Sequence, residues 1–146
     1  MKKASFLLLV LISSQFSFSQ LSPQEITFNF FETYKAKGAS TALEDLYETN
    51  PWMSRSADAI TNLKSQLEGL NKDYVGAYHG YEKITEKTLG NSYMLLSFMV
   101  KYDRQPIRFI FHYYKPKDKW VIYAFKFDAN IDEELDESAK VYYQDL

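Results

Sequence analysis

Apolar positions recur at helical spacing in the first half of this chain and at alternate positions in the second half. Ile26, Phe30 and Tyr34 return every four residues with Phe31 beside them, which predicts a helix with one buried face that Gly38 ends. Ser22-Pro23-Gln24-Glu25 marks its start, because a hydroxyl at the N-cap, a proline at the first position and a glutamate at the third form a capping box. A second, shorter helix is predicted from Ser40 or Thr41, with Leu43, Leu46 and Tyr47 inward. Asn50-Pro51 ends it, since proline disfavours helical backbone in the residue before it. The third takes Ser54 or Ser56 as its cap, buries Ile60, Leu63, Leu67 and Leu70, and stops between Gly69 and Asn71. Trp52 is expected to plug the connection between the second and third helices.

Beyond Lys72 the period drops to two and Tyr, Val, Ile and Phe become frequent, which predicts strands. Residues 74–81 and 83–89 read as two modest strands, the second polar enough at Glu86, Lys87 and Thr88 to lie at an edge. Gly90-Asn91 turns the chain into a long strand from Ser92 to Tyr102. Its alternating sets, Met94, Leu96, Phe98 and Val100 against Tyr93, Leu95 and Met99, are both largely apolar and so predict a central strand. Two further strands follow, Ile107–Tyr114 and Lys119–Phe127. In the first of these Ile107, Phe109, Phe111 and Tyr113 are expected to face the helices. Helices followed by an antiparallel meander give an α+β domain, with three N-terminal helices packed on a curved antiparallel sheet whose hollow is a candidate pocket.

The first nineteen residues stand apart. Lys2 and Lys3 precede an apolar run from Phe6 to Ile12, and Ser17 and Ser19 set small residues before a cut, which predicts a secretory signal peptide cleaved after Ser19. The run is far shorter than the roughly 20 residues a membrane span requires, so no membrane insertion is expected after cleavage. The expected location is periplasmic or extracellular. A short signal and an exported domain without disulfides favour a bacterial source.

Composition narrows the chemistry. The 146 residues contain no cysteine, which removes disulfides, thiolate metal sites and a cysteine nucleophile. With 17 Lys+Arg against 19 Asp+Glu, the net charge of -2 gives no reason to expect nucleic acid. The charge is uneven. Residues 128–146 hold seven acids against Lys140, so an acidic tail follows a domain spanning residues 20–127. Arg104, Arg108, Lys115, Lys117 and Lys119 make the hairpin ends basic, and a loose association of the tail with Arg104 and the three lysines is expected. Asp-Glu-Glu-Leu-Asp-Glu at 132–137 lacks the alternating ligands and glycine of a calcium loop, and the tail reads as solvated and partly helical.

The helix, short helix, helix, bent-sheet order resembles the nuclear transport factor 2-like, or SnoaL-like, superfamily of cone-shaped α+β domains, in its small exported bacterial branch. The local pieces that carry the resemblance are Phe30-Phe31, Thr49-Asn50-Pro51-Trp52-Met53, and Phe111-His112-Tyr113-Tyr114-Lys115-Pro116 with Trp120. It covers about residues 24 to 127. The superfamily contains isomerases, dehydratases, cyclases and binding modules, so the resemblance implies a pocket rather than a reaction.

Such enzymes place a carboxylate or histidine base inside the cone. Here His79 and His112 lie in strand patterns without metal or triad spacing, Asp103 belongs to a turn, and residues 93–101 and 107–114 contain no acid. Glu82 and Asp73 remain as acids near the first strands. Twelve tyrosines offer apolar faces with hydroxyls, and the candidate ligand-binding residues are Tyr78, Tyr102, Tyr113 and His112. The reading that results is an exported, non-enzymatic domain that takes a small apolar or aromatic ligand, or a protein partner, on its concave sheet face, with no cofactor and no metal. Its alternatives are an isomerase, dehydratase or cyclase using the cone pocket, and a homodimeric structural domain using the outer sheet face.

Overall fold

Ser22 caps the first helix as the sequence predicts. Its hydroxyl accepts from the Glu25 N–H and its own N–H donates to the Glu25 carboxylate at 2.7 Å, closing the capping box of α1 (Pro23–Lys37). The computed structural model describes residues 20–142; the predicted signal peptide and its cleavage point lie outside the described residues. Ile26, Phe30 and Phe31 form the buried stripe of α1. Gly38, at φ 90°, turns the chain directly into α2 (Ala39–Glu48), which buries Ala42, Leu43 and Leu46.

Asn50 then accepts from the Trp52 N–H and starts a 3-10 helix, Pro51–Ser56. Trp52 does not plug the connection. It is 70% exposed, with the Arg55 guanidinium 5.1 Å from its ring, because the Asn50 side chain takes the inward position and turns the next residues out. In α3 (Ala57–Glu68) only Leu67 is fully buried. Ile60, Leu63 and Leu70 are half-buried, since α3 packs on α2 and the 3-10 turn.

The segment read as two strands is a helical turn followed by one strand. Asn71 accepts from the Asp73 and Tyr74 N–H groups and caps α4 (Lys72–Val75), which Gly76 ends at φ 87°. β1 (Tyr78–Leu89) then runs unbroken. Register shifts between Tyr78 and Tyr81 and between Lys83 and Thr85 restart the alternation within it, which is why a period-two pattern reads as two pieces. With β2 (Tyr93–Tyr102), β3 (Ile107–Tyr114) and β4 (Val121–Asp128), the sheet has four strands in the order β1-β2-β3-β4, every pair antiparallel. The domain is therefore α+β, helices first and meander second, with β2 interior as expected.

One sheet face carries the core. Leu96, Phe98 and Val100 of β2, Ile107, Phe109, Phe111 and Tyr113 of β3, and Ile122 and Phe125 of β4 meet α1 and α2. The Phe30 ring lies 5.1 Å from Phe111 and 5.5 Å from Phe125, and Phe31 lies 5.2 Å from Phe98. Tilted and edge-to-face contacts of this kind let quadrupoles attract while large apolar surfaces leave water.

The acidic tail forms α5 (Ile131–Tyr142) and returns to the outer sheet face. Glu134 accepts from Arg108 at 3.0 Å and lies at 3.5 Å from the buried Ser97 hydroxyl, while Asp128 holds the same guanidinium through both oxygens. Arg108, one of the basic hairpin-end residues, thus receives the described part of the tail through Glu134. Arg104 instead donates to the Tyr74 carbonyl, and Lys115 lies over Trp120. A guanidinium prevails here because its planar fork serves two carboxylates at once.

Candidate functional site

Three tyrosines converge where the end of α1 crosses the start of β1 and the end of β2. Tyr34 lies one helical turn beyond Phe30, on the stripe that faces the sheet. Tyr78 and Tyr102 are register partners across β1 and β2. The Tyr34 and Tyr102 hydroxyls bond each other at 2.6 Å, and the Tyr78 ring lies 5.6 Å from Tyr34 and 5.9 Å from Tyr102. These rings line an open cleft of about 450 Å³, bounded further by the start of α2, the end of α3 and the Gly76-Ala77 segment.

Burial governs the electrostatics. Tyr102, 9% exposed, has its phenol pushed far above the ordinary range by desolvation and by Tyr34. Tyr78 is pushed up to about 12 by burial, then by the charges that Tyr81, Tyr34 and Glu32 would bring. Tyr34 is raised by burial against the bond from Tyr102. All three remain neutral hydroxyls at ordinary pH and can donate as well as accept. The lining also contains Lys37, Lys72 and Glu68, and apolar surface from Leu67 and Leu70.

Asp103 sets the position of this rim. One carboxylate oxygen accepts from the Ala77 N–H at 2.6 Å and the other is 2.5 Å from His79 Nε2, so the β2–β3 turn holds the entry to β1. The carboxyl is held below the ordinary carboxylate range first by the His79 bond and then by the Ala77 N–H. A Cβ at position 76 would stand 2.4 Å from the Asp103 Cβ, so this close approach requires glycine.

Of the four residues singled out in the sequence, Tyr78 and Tyr102 come together and the other two lie elsewhere. Tyr113 is fully buried in the core with its hydroxyl 2.7 Å from Thr27 Oγ1. His112 faces the other side of the sheet, where its Nδ1 lies 3.0 Å from the Tyr93 hydroxyl, and burial lowers its pKa. Glu82 pairs with Lys101 at 2.7 Å, and Asp73 is exposed in the first turn of α4. Tyr34 was missed. Its place at i+4 from Phe30 was visible, but that spacing marks only a buried face, and its partner lies 68 residues away.

Among the described residues no three His, Asp or Glu side chains gather as a metal site, and no helix is long and apolar enough to cross a membrane. No protein-family model, curated protein or solved structure matches the chain.

Proposed function

We propose that this chain is an exported, non-enzymatic binding domain that holds a small apolar or aromatic ligand in the Tyr34–Tyr78–Tyr102 cleft. The observation that carries the reading is the convergence of three aromatic rings and a hydroxyl pair on one open hollow of about 450 Å³. That volume falls in the range of small-molecule sites, and apolar walls with a few placed polar groups are their usual composition. Binding is preferred to catalysis because the lining offers no histidine and one acid, the exposed Glu68, so no base faces the hydroxyl pair. The resemblance to the nuclear transport factor 2-like superfamily and the signal peptide belong to the same reading.

The test is a titration of the isotope-labelled domain, residues 20–146, with phenol and indole, followed by amide chemical shifts. Binding in the cleft moves the Ser40, Gly76 and Ala77 signals together, and Tyr78→Ala abolishes the shifts. Shifts scattered over the surface, or none at millimolar probe, would overturn the proposal.

A second reading, a homodimer through the outer sheet face, draws on Leu89, Tyr114 and Tyr123, which are 77%, 42% and 56% exposed. Tyr123 lies 5.9 Å from Tyr93 on that face. Sedimentation equilibrium tests it: the parent should be dimeric and a Tyr123→Lys variant monomeric, and a monomeric parent overturns this reading.

A further inference from the structure

We propose that the ligand of this cleft carries a carboxylate on its apolar or aromatic body, with Lys37 and Lys72 receiving the charge and the Tyr34–Tyr102 pair donating to an oxygen. The inference rests on the binding reading above and adds the chemical class.

The first observation is the hydroxyl pair. Two phenols contain two hydrogens, and the bond between them uses one. The second hydrogen remains on a group at the cleft wall, and no other side-chain hydrogen bond engages either hydroxyl among the described residues. Whichever phenol keeps it, Tyr34 and Tyr102 both line the cleft, so the remaining hydrogen is available to an acceptor there. A ligand oxygen that accepts hydrogen bonds can take it.

The second observation is the sign of the rim. Lys37 and Lys72 line the cleft and their ammonium groups make no hydrogen bond or ion pair among the described residues, while Glu68 is the one acid in the lining. Elsewhere on the surface Lys64 pairs with Glu44, Lys83 with Glu86 and Lys101 with Glu82. Asp103 stands close enough for Lys72 to help hold its carboxyl ionised, but its two oxygens are already taken by Ala77 and His79. Within the lining itself two lysines stand against one acid, so Lys37 and Lys72 offer cations to an incoming anion. Leu67, Leu70 and the Tyr78 ring supply the apolar surface for the body behind that charge. Charge-assisted hydrogen bonds are roughly twice as strong as neutral ones, so the carboxylate is the acceptor that uses both features together.

The experiment compares phenylacetate with phenylacetamide, which share the ring and an acceptor oxygen and differ in charge. Affinities come from amide shift titrations of the labelled domain at low and at raised salt. Phenylacetate is expected to bind about tenfold more tightly at low salt, the advantage shrinking as salt screens it. In a Lys37→Gln, Lys72→Gln double variant the two probes should bind alike, with the amide's affinity unchanged. Tyr102→Phe, which keeps both lysines and the ring, should weaken both probes. Equal binding of the two probes by the unaltered protein overturns the carboxylate inference and leaves the binding reading standing. Absence of cleft shifts with either probe overturns both. Both lysines are on the rim, so an unchanged melting temperature certifies that the double variant is folded.

Discussion

The Asn50 side-chain amide donates to the Ile122 carbonyl at 2.7 Å, and the adjoining Thr49 hydroxyl accepts from the Ile122 N–H at 3.1 Å. The residues that end α2 thus satisfy both backbone groups that β4 turns away from the sheet at that position. A free edge is a template for unwanted pairing, and β4 is closed here by side chains.

Asn50→Ala should therefore destabilise the domain by about 1–3 kcal/mol, since it strips a buried carbonyl of its partner and removes the 3-10 cap in one step. Urea denaturation measures it. Thr49→Val, which deletes the acceptor for one N–H and keeps the shape, should cost less.

Phe111 is fully buried and its ring meets Phe30, Phe98 and Phe125. Phe111→Ala is expected to cost about 3–5 kcal/mol, the range for deleting a buried aromatic side chain. A loss below about 1 kcal/mol would contradict the assignment of the inner sheet face.

Asp103 gives the acid limb of stability a specific source. Its folded-state pKa lies below the unfolded value, about 3.9, so its contribution is present above that pH and disappears as pH falls through the lower folded value. Asp103→Asn retains an acceptor for Ala77 and lacks the charge. Its stability should vary less with pH below about 4 than that of the parent, in paired acid denaturation curves. Parallel curves would refute the assignment.

The tyrosine cleft governs the alkaline limb. Phenols whose folded pKa values exceed the unfolded value, about 10, contribute stability that is complete below that pH and is lost as pH rises through the folded values. With Tyr78 at about 12, stability should begin to fall near pH 10, and the tyrosinate absorbance of the folded protein should lag behind that of the unfolded chain. Tyr78→Phe should reduce the lag, and a titration at the free-tyrosine pH would refute it.

Truncation after Asn130 removes α5 and Glu134, while Arg108 keeps its two-oxygen bond to Asp128. The remaining domain should fold, with a melting temperature only a few degrees lower, since surface ion pairs are worth roughly 0–1 kcal/mol each. Circular dichroism melting decides it, and loss of the cooperative transition would make α5 an integral element.

The sequence by itself determined the elements whose causes are local. The capping box at Ser22, the four-residue recurrence of Ile26, Phe30 and Tyr34, and the alternation from Ile107 to Tyr113 each follow from backbone geometry acting over a few residues, and each is seen in the structure. Helices before strands then led to an α+β domain. The tertiary structure decided what depends on residues distant in the chain. Bulges in β1 arise from its pairing with β2, and a strand read alone cannot show where its partner slips. Trp52 faces outward because Asn50 is recruited by Ile122, 72 residues on. Arg108 meets Glu134 of the tail beside Asp128, its neighbour in the register across β3 and β4. Tyr34, Tyr78 and Tyr102 become one site only when α1 is laid across the β1–β2 pair. Spacing along the chain records which face is apolar, and packing alone records which apolar residues meet.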